Sequence, residues 1–82
     1  MSNITGSQIR AARALIRWTA DDLAKASGVG VATIRRAELI DGIVNMTAPN
    51  VAAVQRALEE AGVIFVPENG EGAGVRLKRI KQ

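Results

Sequence analysis

At 82 residues the chain is one small domain, and 48% apolar with 23% charged residues is a globular composition rather than a disordered one. Cysteine, histidine and tyrosine are all absent, which removes disulfides, thiol and zinc–thiolate sites, the commonest general base and the phenolic acid; no cofactor, metal or catalytic residue is expected, and a non-enzyme is. The net charge of +3 is unevenly spread. Arg10, Arg13, Arg17, Lys25, Arg35 and Arg36 outnumber Asp21, Asp22 and Glu38 in the first forty residues, whereas the second half is balanced and gathers Arg76, Lys78, Arg79 and Lys81 at its end. That asymmetry suits a polyanionic partner. No apolar run reaches the length of a membrane span, and the first residues lack the basic-then-apolar layout of a signal peptide, so a cytoplasmic protein is expected.

In chain order, Thr5-Gly6-Ser7 predicts the start of a first helix, because small polar residues satisfy free amides there. Ile9, Ala12, Ile16 and Leu15 form its apolar face; Arg10 and Arg17 fall on the other side, and Arg13 borders the stripe. Trp18 reads as a core anchor. Thr19 followed by Asp22 predicts a capped second helix, with Asp21 and Asp22 at the positive end of its dipole. As catalytic carboxylates these two neighbours diverge around the helix and do not converge on a substrate. Leu23, Ala24 and Ser27 point inward, and Gly28 ends the helix.

Gly30 caps a third helix from Val31 to about Leu39, with Ile34 and Ala37, together with Leu39 or Ile40, on its buried side. Val31, Ala32, Arg35 and Arg36 lie outward. Residues 43–48 read as a loop, and a fourth helix starts at Asn50 after Pro49, burying Val51, Val54, Ala57, Leu58 and Ala61 before Gly62. Val63-Ile64-Phe65-Val66 then predicts a strand, Asn69-Gly70 a turn, and Val75 to Ile80 a second strand. Gly70, Gly72 and Gly74 belong to that turn, since no helix follows to make a phosphate-binding loop.

Two short helices around Gly28-Val29-Gly30, the second ending in adjacent arginines, have the size of a DNA-binding helix pair. Val31 and Ala32 are small enough to approach a thymine methyl, and Arg35 and Arg36 to fork onto guanine or hold phosphate.

Leu23-Ala24, Gly28-Val29, Thr33-Ile34 and Arg36-Ala37-Glu38 resemble the lambda-repressor/Cro-like helix-turn-helix proteins, the Xre family, over about residues 8–62. The resemblance implies a mostly α fold, a four- to five-helix lambda-repressor-like helix-turn-helix domain (1–62); the C-terminal β-hairpin (63–82) is read from its own residues and extends that domain. It implies a transcriptional regulator of Cro or CI repressor type that binds double-stranded DNA; the apolar hairpin adds the expectation of a homodimer on an inverted-repeat operator, and without a separate ligand domain no small-molecule ligand is expected. The resemblance also implies that Arg13 pairs with Glu38, which would make Arg13 structural, and that Ala24 is the small residue where the two helices touch. The sequence departs from the family at Ala20, where glutamine is common, and at Gly30 and Val31, where polar residues are usual; Thr33 is then a candidate phosphate contact. The altered close, Glu38-Leu39-Ile40-Asp41-Gly42, suggests a longer third helix.

The hairpin lies outside that resemblance. Val63 and Phe65 take one face of its first strand, Ile64 and Val66 the other, so one face needs cover; Ile64, Val66 and Phe65 are the expected dimerisation residues. The same apolar faces motivate a different class of function, a protein-interaction module of antitoxin or antiactivator type.

Overall fold

A computed structural model describes residues 3–79. It contains four helices, α1 (Gly6–Ile16), α2 (Ala20–Ser27), α3 (Val31–Glu38) and α4 (Ala48–Glu60), followed by the strands β1 (Val63–Val66) and β2 (Gly74–Leu77). The domain is mostly helical with a two-stranded antiparallel hairpin; no fifth helix occurs among the described residues.

Helices α1 and α2 begin at side-chain caps, whereas Gly30 before α3 and Thr47 before α4 make no side-chain cap hydrogen bond. Thr5 caps α1 in a reciprocal box with Gln8: the Thr5 hydroxyl accepts from the Gln8 amide at 3.0 Å, and the Gln8 side-chain oxygen accepts from the Thr5 amide at 2.9 Å. Arg17 ends α1 with φ of 60°, a left-handed conformation unusual for a residue with a Cβ. Thr47 precedes α4, which starts at Ala48 rather than at Asn50. Pro49 sits inside that first turn, where its missing N–H would have no helical partner anyway.

The core joins Ile9 and Ala12 of α1, Leu23 of α2, Ile34 and Ala37 of α3, Val54 and Leu58 of α4 and Val63 of β1. Ile9, Leu23, Ile34 and Leu58 are fully buried, each contributing about 1.5–3 kcal/mol relative to exposure. Trp18 packs against this cluster from its edge, as expected of a core anchor. Leu15, expected on the apolar face, is 40% exposed; the stripe through Ile9, Ala12 and Ile16 already meets the core, and Leu15 lies beyond its border.

The connection after α3 also differs from expectation. Helix α3 stops at Glu38 instead of running longer, and Leu39 is 83% exposed while Ile40 is half-buried. Residues 41–44 then turn back along the start of the chain. Gly6 donates to the Gly42 carbonyl at 3.0 Å, Val44 donates to that of Ile4 at 3.1 Å, and Thr5 bridges Ile43. Residues 43–47 are irregular, as expected of a loop, and backbone bonds to Ile4–Gly6 tie down the start of that stretch. Gly6 permits the approach: a Cβ there would stand 1.8 Å from the Ile40 carbonyl oxygen.

In the hairpin Val63 faces Leu77, Ile64 faces Arg76, Phe65 faces Val75 and Val66 faces Gly74. The second strand starts at Gly74 and ends at Leu77; Ile80 and Lys81 lie outside the described residues.

Candidate nucleic-acid interface

Helices α2 and α3 are joined by three residues. The box that opens α2 is formed: the Thr19 hydroxyl accepts from the Asp22 amide at 3.0 Å, and the Asp22 carboxylate accepts from the Thr19 amide at 2.9 Å. That backbone hydrogen bond, seconded by the hydroxyl, holds the Asp22 carboxyl below its ordinary range. Gly28 closes the helix with φ of 78°, donating to the Ala24 carbonyl at 2.9 Å. Val29 is buried in the turn, and its amide donates to the Ser27 hydroxyl. Gly30 enters α3 in an extended conformation. Ala24, half-buried, packs against the core, as a small residue between two close helices must.

One side of α3 is anchored by Ile34 and Ala37. Ala32, Arg35 and Arg36 are exposed and share the outer face at steps of three and four. Val31 and Thr33 flank it, both half-buried; Val31 packs partly against the core and keeps only its outer edge free. The Arg36 guanidinium donates to the Thr33 hydroxyl at 3.4 Å, and neither Arg35 nor Arg36 has a carboxylate partner among the described residues. Helix α3 has no side-chain cap and no acidic residue in its first turn, unlike α2. Its positive end is therefore left uncompensated by side chains.

The far end of α3 is held from α1. Arg13 forks onto Glu38, with Nε donating to Oε2 and Nη2 donating to Oε1, both at 2.7 Å. Its Nη1 donates to the Trp18 carbonyl at 2.9 Å. The Glu38 side chain is only 9% exposed and that of Arg13 21%. Two parallel charge-assisted bonds satisfy a carboxylate that would otherwise be costly to bury, and donating these bonds to Glu38 raises the affinity of Arg13 for its proton. The pairing implied by the family resemblance is thus present in the geometry.

Arg10 lies on α1 away from the apolar face, as expected, and its guanidinium is engaged. Nη1 donates to the Glu38 carbonyl, and Nη2 donates to Asp41 Oδ1 at 2.7 Å and to the Ser7 hydroxyl at 3.1 Å. The only sequence signal was its place one turn ahead of Arg13. Nothing in the sequence brings Asp41 alongside.

The three hairpin residues divide between faces. Phe65 shares the inner face with Val63 and Val75 and packs against the core of its own chain. Ile64, 37% exposed, and the half-buried Val66 lie on the outer face, where Ile64 stands opposite Arg76. Gln8, almost fully buried, fastens the hairpin to α1 by donating to the Gly74 carbonyl at 2.9 Å and to the Val66 carbonyl at 3.3 Å.

An open groove of about 370 Å³ is lined mainly by Ile4, Ile43, Val44, Met46 and Val51. Asn3 is its one polar side chain, so it lacks the converging polar groups that orient a small ligand. Among the described residues no three acidic side chains gather to hold a metal, and no helix is long and apolar enough to cross a membrane. Compared with known proteins, the sequence matches no family model and no curated protein.

Proposed function

We propose that this protein is a sequence-specific, non-catalytic DNA-binding regulator of the lambda-repressor/Cro-like (Xre) type, with α3 as the helix that enters the major groove. The observation that carries the proposal is the outer face of α3. Ala32, Arg35 and Arg36 are exposed there without carboxylate partners, on a helix whose end is fixed by Arg13 through Glu38. Arginine reads guanine O6 and N7 with a geometry a carboxylate partner would block, and the alanine methyl lets the helix approach thymine closely. Val31 and Thr33 at the rim add a methyl contact and a phosphate contact.

The regulator acts as a homodimer. Among the described residues Ile64 and Val66 keep a partly exposed apolar outer face on the hairpin, and Phe65 supports it from beneath. Two copies place their α3 helices about 34 Å apart, one helical turn of DNA, and so require an inverted-repeat operator. Selection of bound duplexes from a random pool, followed by sequencing, tests both claims together. Enrichment of a palindrome with that half-site spacing is expected; no enriched sequence refutes DNA reading, and a single unpaired half-site refutes the dimer.

A second reading is a module that captures a partner protein, favoured by Leu39 and Ile43, which are 83% and 62% exposed. Stoichiometric copurification of one partner, without sequence-selective DNA binding, would establish it instead.

A further inference from the structure

We propose that Arg10 is a positioning residue for the reading helix: it sharpens DNA specificity by fixing the end of α3 and does not itself touch DNA. The proposal rests on the DNA-binding function proposed above.

An exposed arginine on a DNA-binding domain is ordinarily assigned to phosphate. Arg10 has a different occupation. Its two terminal nitrogens are committed within the chain, Nη1 to the Glu38 carbonyl and Nη2 to both Asp41 and Ser7. The Glu38 carbonyl is one of those a helix leaves unpaired at its C-terminus, and a guanidinium is a strong donor for it. Moving Arg10 onto phosphate would orphan that carbonyl and leave the carboxylate of Asp41, 85% exposed, without its cation.

The consequence follows from where Glu38 is gripped. Arg13 takes its side chain and Arg10 its backbone, from positions one turn apart on α1. One grip would let the end of α3 pivot; two fix its rotation as well as its distance. Arg35 and Arg36 lie within one turn of that end, so rotation there swings their guanidinium groups directly. The seam continues through Ile40 donating to Ala37 at 3.2 Å, Gly6 to Gly42 at 3.0 Å and Val44 to Ile4 at 3.1 Å. Arg10 sits where the side-chain and backbone attachments of this seam meet.

The test compares wild type, Arg10→Ala and Arg10→Lys, all well below their melting temperatures, by fluorescence anisotropy across a salt series. Each binds the selected operator and a scrambled duplex. For Arg10→Ala, operator affinity should fall about tenfold, the scale of one charge-assisted hydrogen bond, while scrambled-duplex affinity and the salt slope stay unchanged. Lysine, which cannot hold carbonyl and carboxylate in one fork, should restore only part of the loss. A salt slope shallower by about 0.9, with both duplexes weakened equally, would make Arg10 a phosphate contact and overturn the proposal. Hydrogen exchange supplies a readout without DNA: the Ile40 and Val44 amides should exchange faster in Arg10→Ala and the Leu23 amide should not. Unchanged exchange at Ile40 and Val44 also overturns it. A wild type with no sequence preference removes the DNA-binding function and the proposal with it. A sequence-selective wild type matched by Arg10→Ala removes the proposal alone.

Discussion

The side-chain amide of Gln8 donates to the backbone carbonyl of Gly74 at 2.9 Å, joining the first turn of α1 to the start of β2 across most of the chain. The same nitrogen reaches Val66, and the side-chain oxygen caps its own helix through Thr5, so one buried residue serves three backbone groups. Replacing Gln8 by leucine keeps much of the volume and removes all three bonds. The expected loss is about 1–3 kcal/mol, as for a buried polar group left unpaired. Val66 and Val75 amides should exchange faster in this variant than those of α2, measured by hydrogen exchange.

Gly6→Ala tests the closest approach in the domain. Its Cβ would meet the Ile40 carbonyl oxygen at 1.8 Å and that of Ala37 at 2.5 Å, and backbone cannot yield as a side chain can. A destabilisation of more than about 3 kcal/mol is expected, at the upper end of overpacking costs. Gly42→Ala is the control: its Cβ meets nothing within 4 Å, and a small gain of about 0.4–1 kcal/mol is expected from a less flexible unfolded chain. Thermal melts of the two variants should move in opposite directions.

Arg13→Ala removes the cation from Glu38 while leaving the carboxylate buried. Breaking the pair should cost about 2–4 kcal/mol, slightly less than for a fully buried pair because Arg13 keeps some solvent contact. Removing both partners should cost less than the sum of the single changes, since the orphaned charge then disappears. Urea titration of the two single variants and the double variant gives all three numbers. The raised Arg13 value means its contribution is present below the ordinary arginine range and is lost only as pH climbs through the raised value. No slope from Arg13 is expected near neutrality.

Arg36→Ala should leave the melting transition within about 0.5 kcal/mol of wild type, because the side chain is exposed. Operator affinity should fall by about 1–3 kcal/mol, the worth of one bidentate base contact. Anisotropy at fixed salt measures it, and unchanged affinity would remove Arg36 from the reading face.

Asp22 carries the pH prediction. Its value is lowered by the hydrogen bonds from Thr19, so its stabilising contribution is present above the unfolded value and is lost as pH falls through the depressed folded value. Asp22→Asn keeps an acceptor for the cap but cannot titrate. Melting curves recorded from neutral to strongly acidic pH should therefore show a shallower acid-side decline in Asp22→Asn than in wild type.

Much of the fold was legible because its signals are local. Thr19 with Asp22, and Gly28 and Gly30 at the turn, act on amides within a few residues, so α2, the turn and the start of α3 appear where expected. The hairpin follows from the β-branched run Val63–Val66, the turn at Asn69-Gly70 and the alternation through Val75, Arg76 and Leu77. The expectations that failed depend on what lies across space. Leu39 and Leu15 have the right chemistry for a core that is already filled; the loop expected from residue 43 is irregular as read, but its backbone bonds to Ile4–Gly6 are announced by no local period.

The sequence by itself determined that four amphipathic helices and a hairpin form, and that the outer face of α3 is small and basic, because caps, periods and turn residues act over one or two turns of chain. Its resemblance to a known family also brought Arg13 and Glu38 together in advance. Only the tertiary structure decided that Arg10 closes onto Glu38 and Asp41, that Gln8 pins the hairpin to α1, and that Gly6 must have no side chain. Each of these is a contact between segments far apart in sequence. A guanidinium, an amide or a missing Cβ acquires its role only when packing delivers a particular carbonyl or carboxylate to within hydrogen-bond or contact distance. For the Thr19–Glu38 stretch, the sequence sets what the helix can touch and the fold sets how firmly it is held.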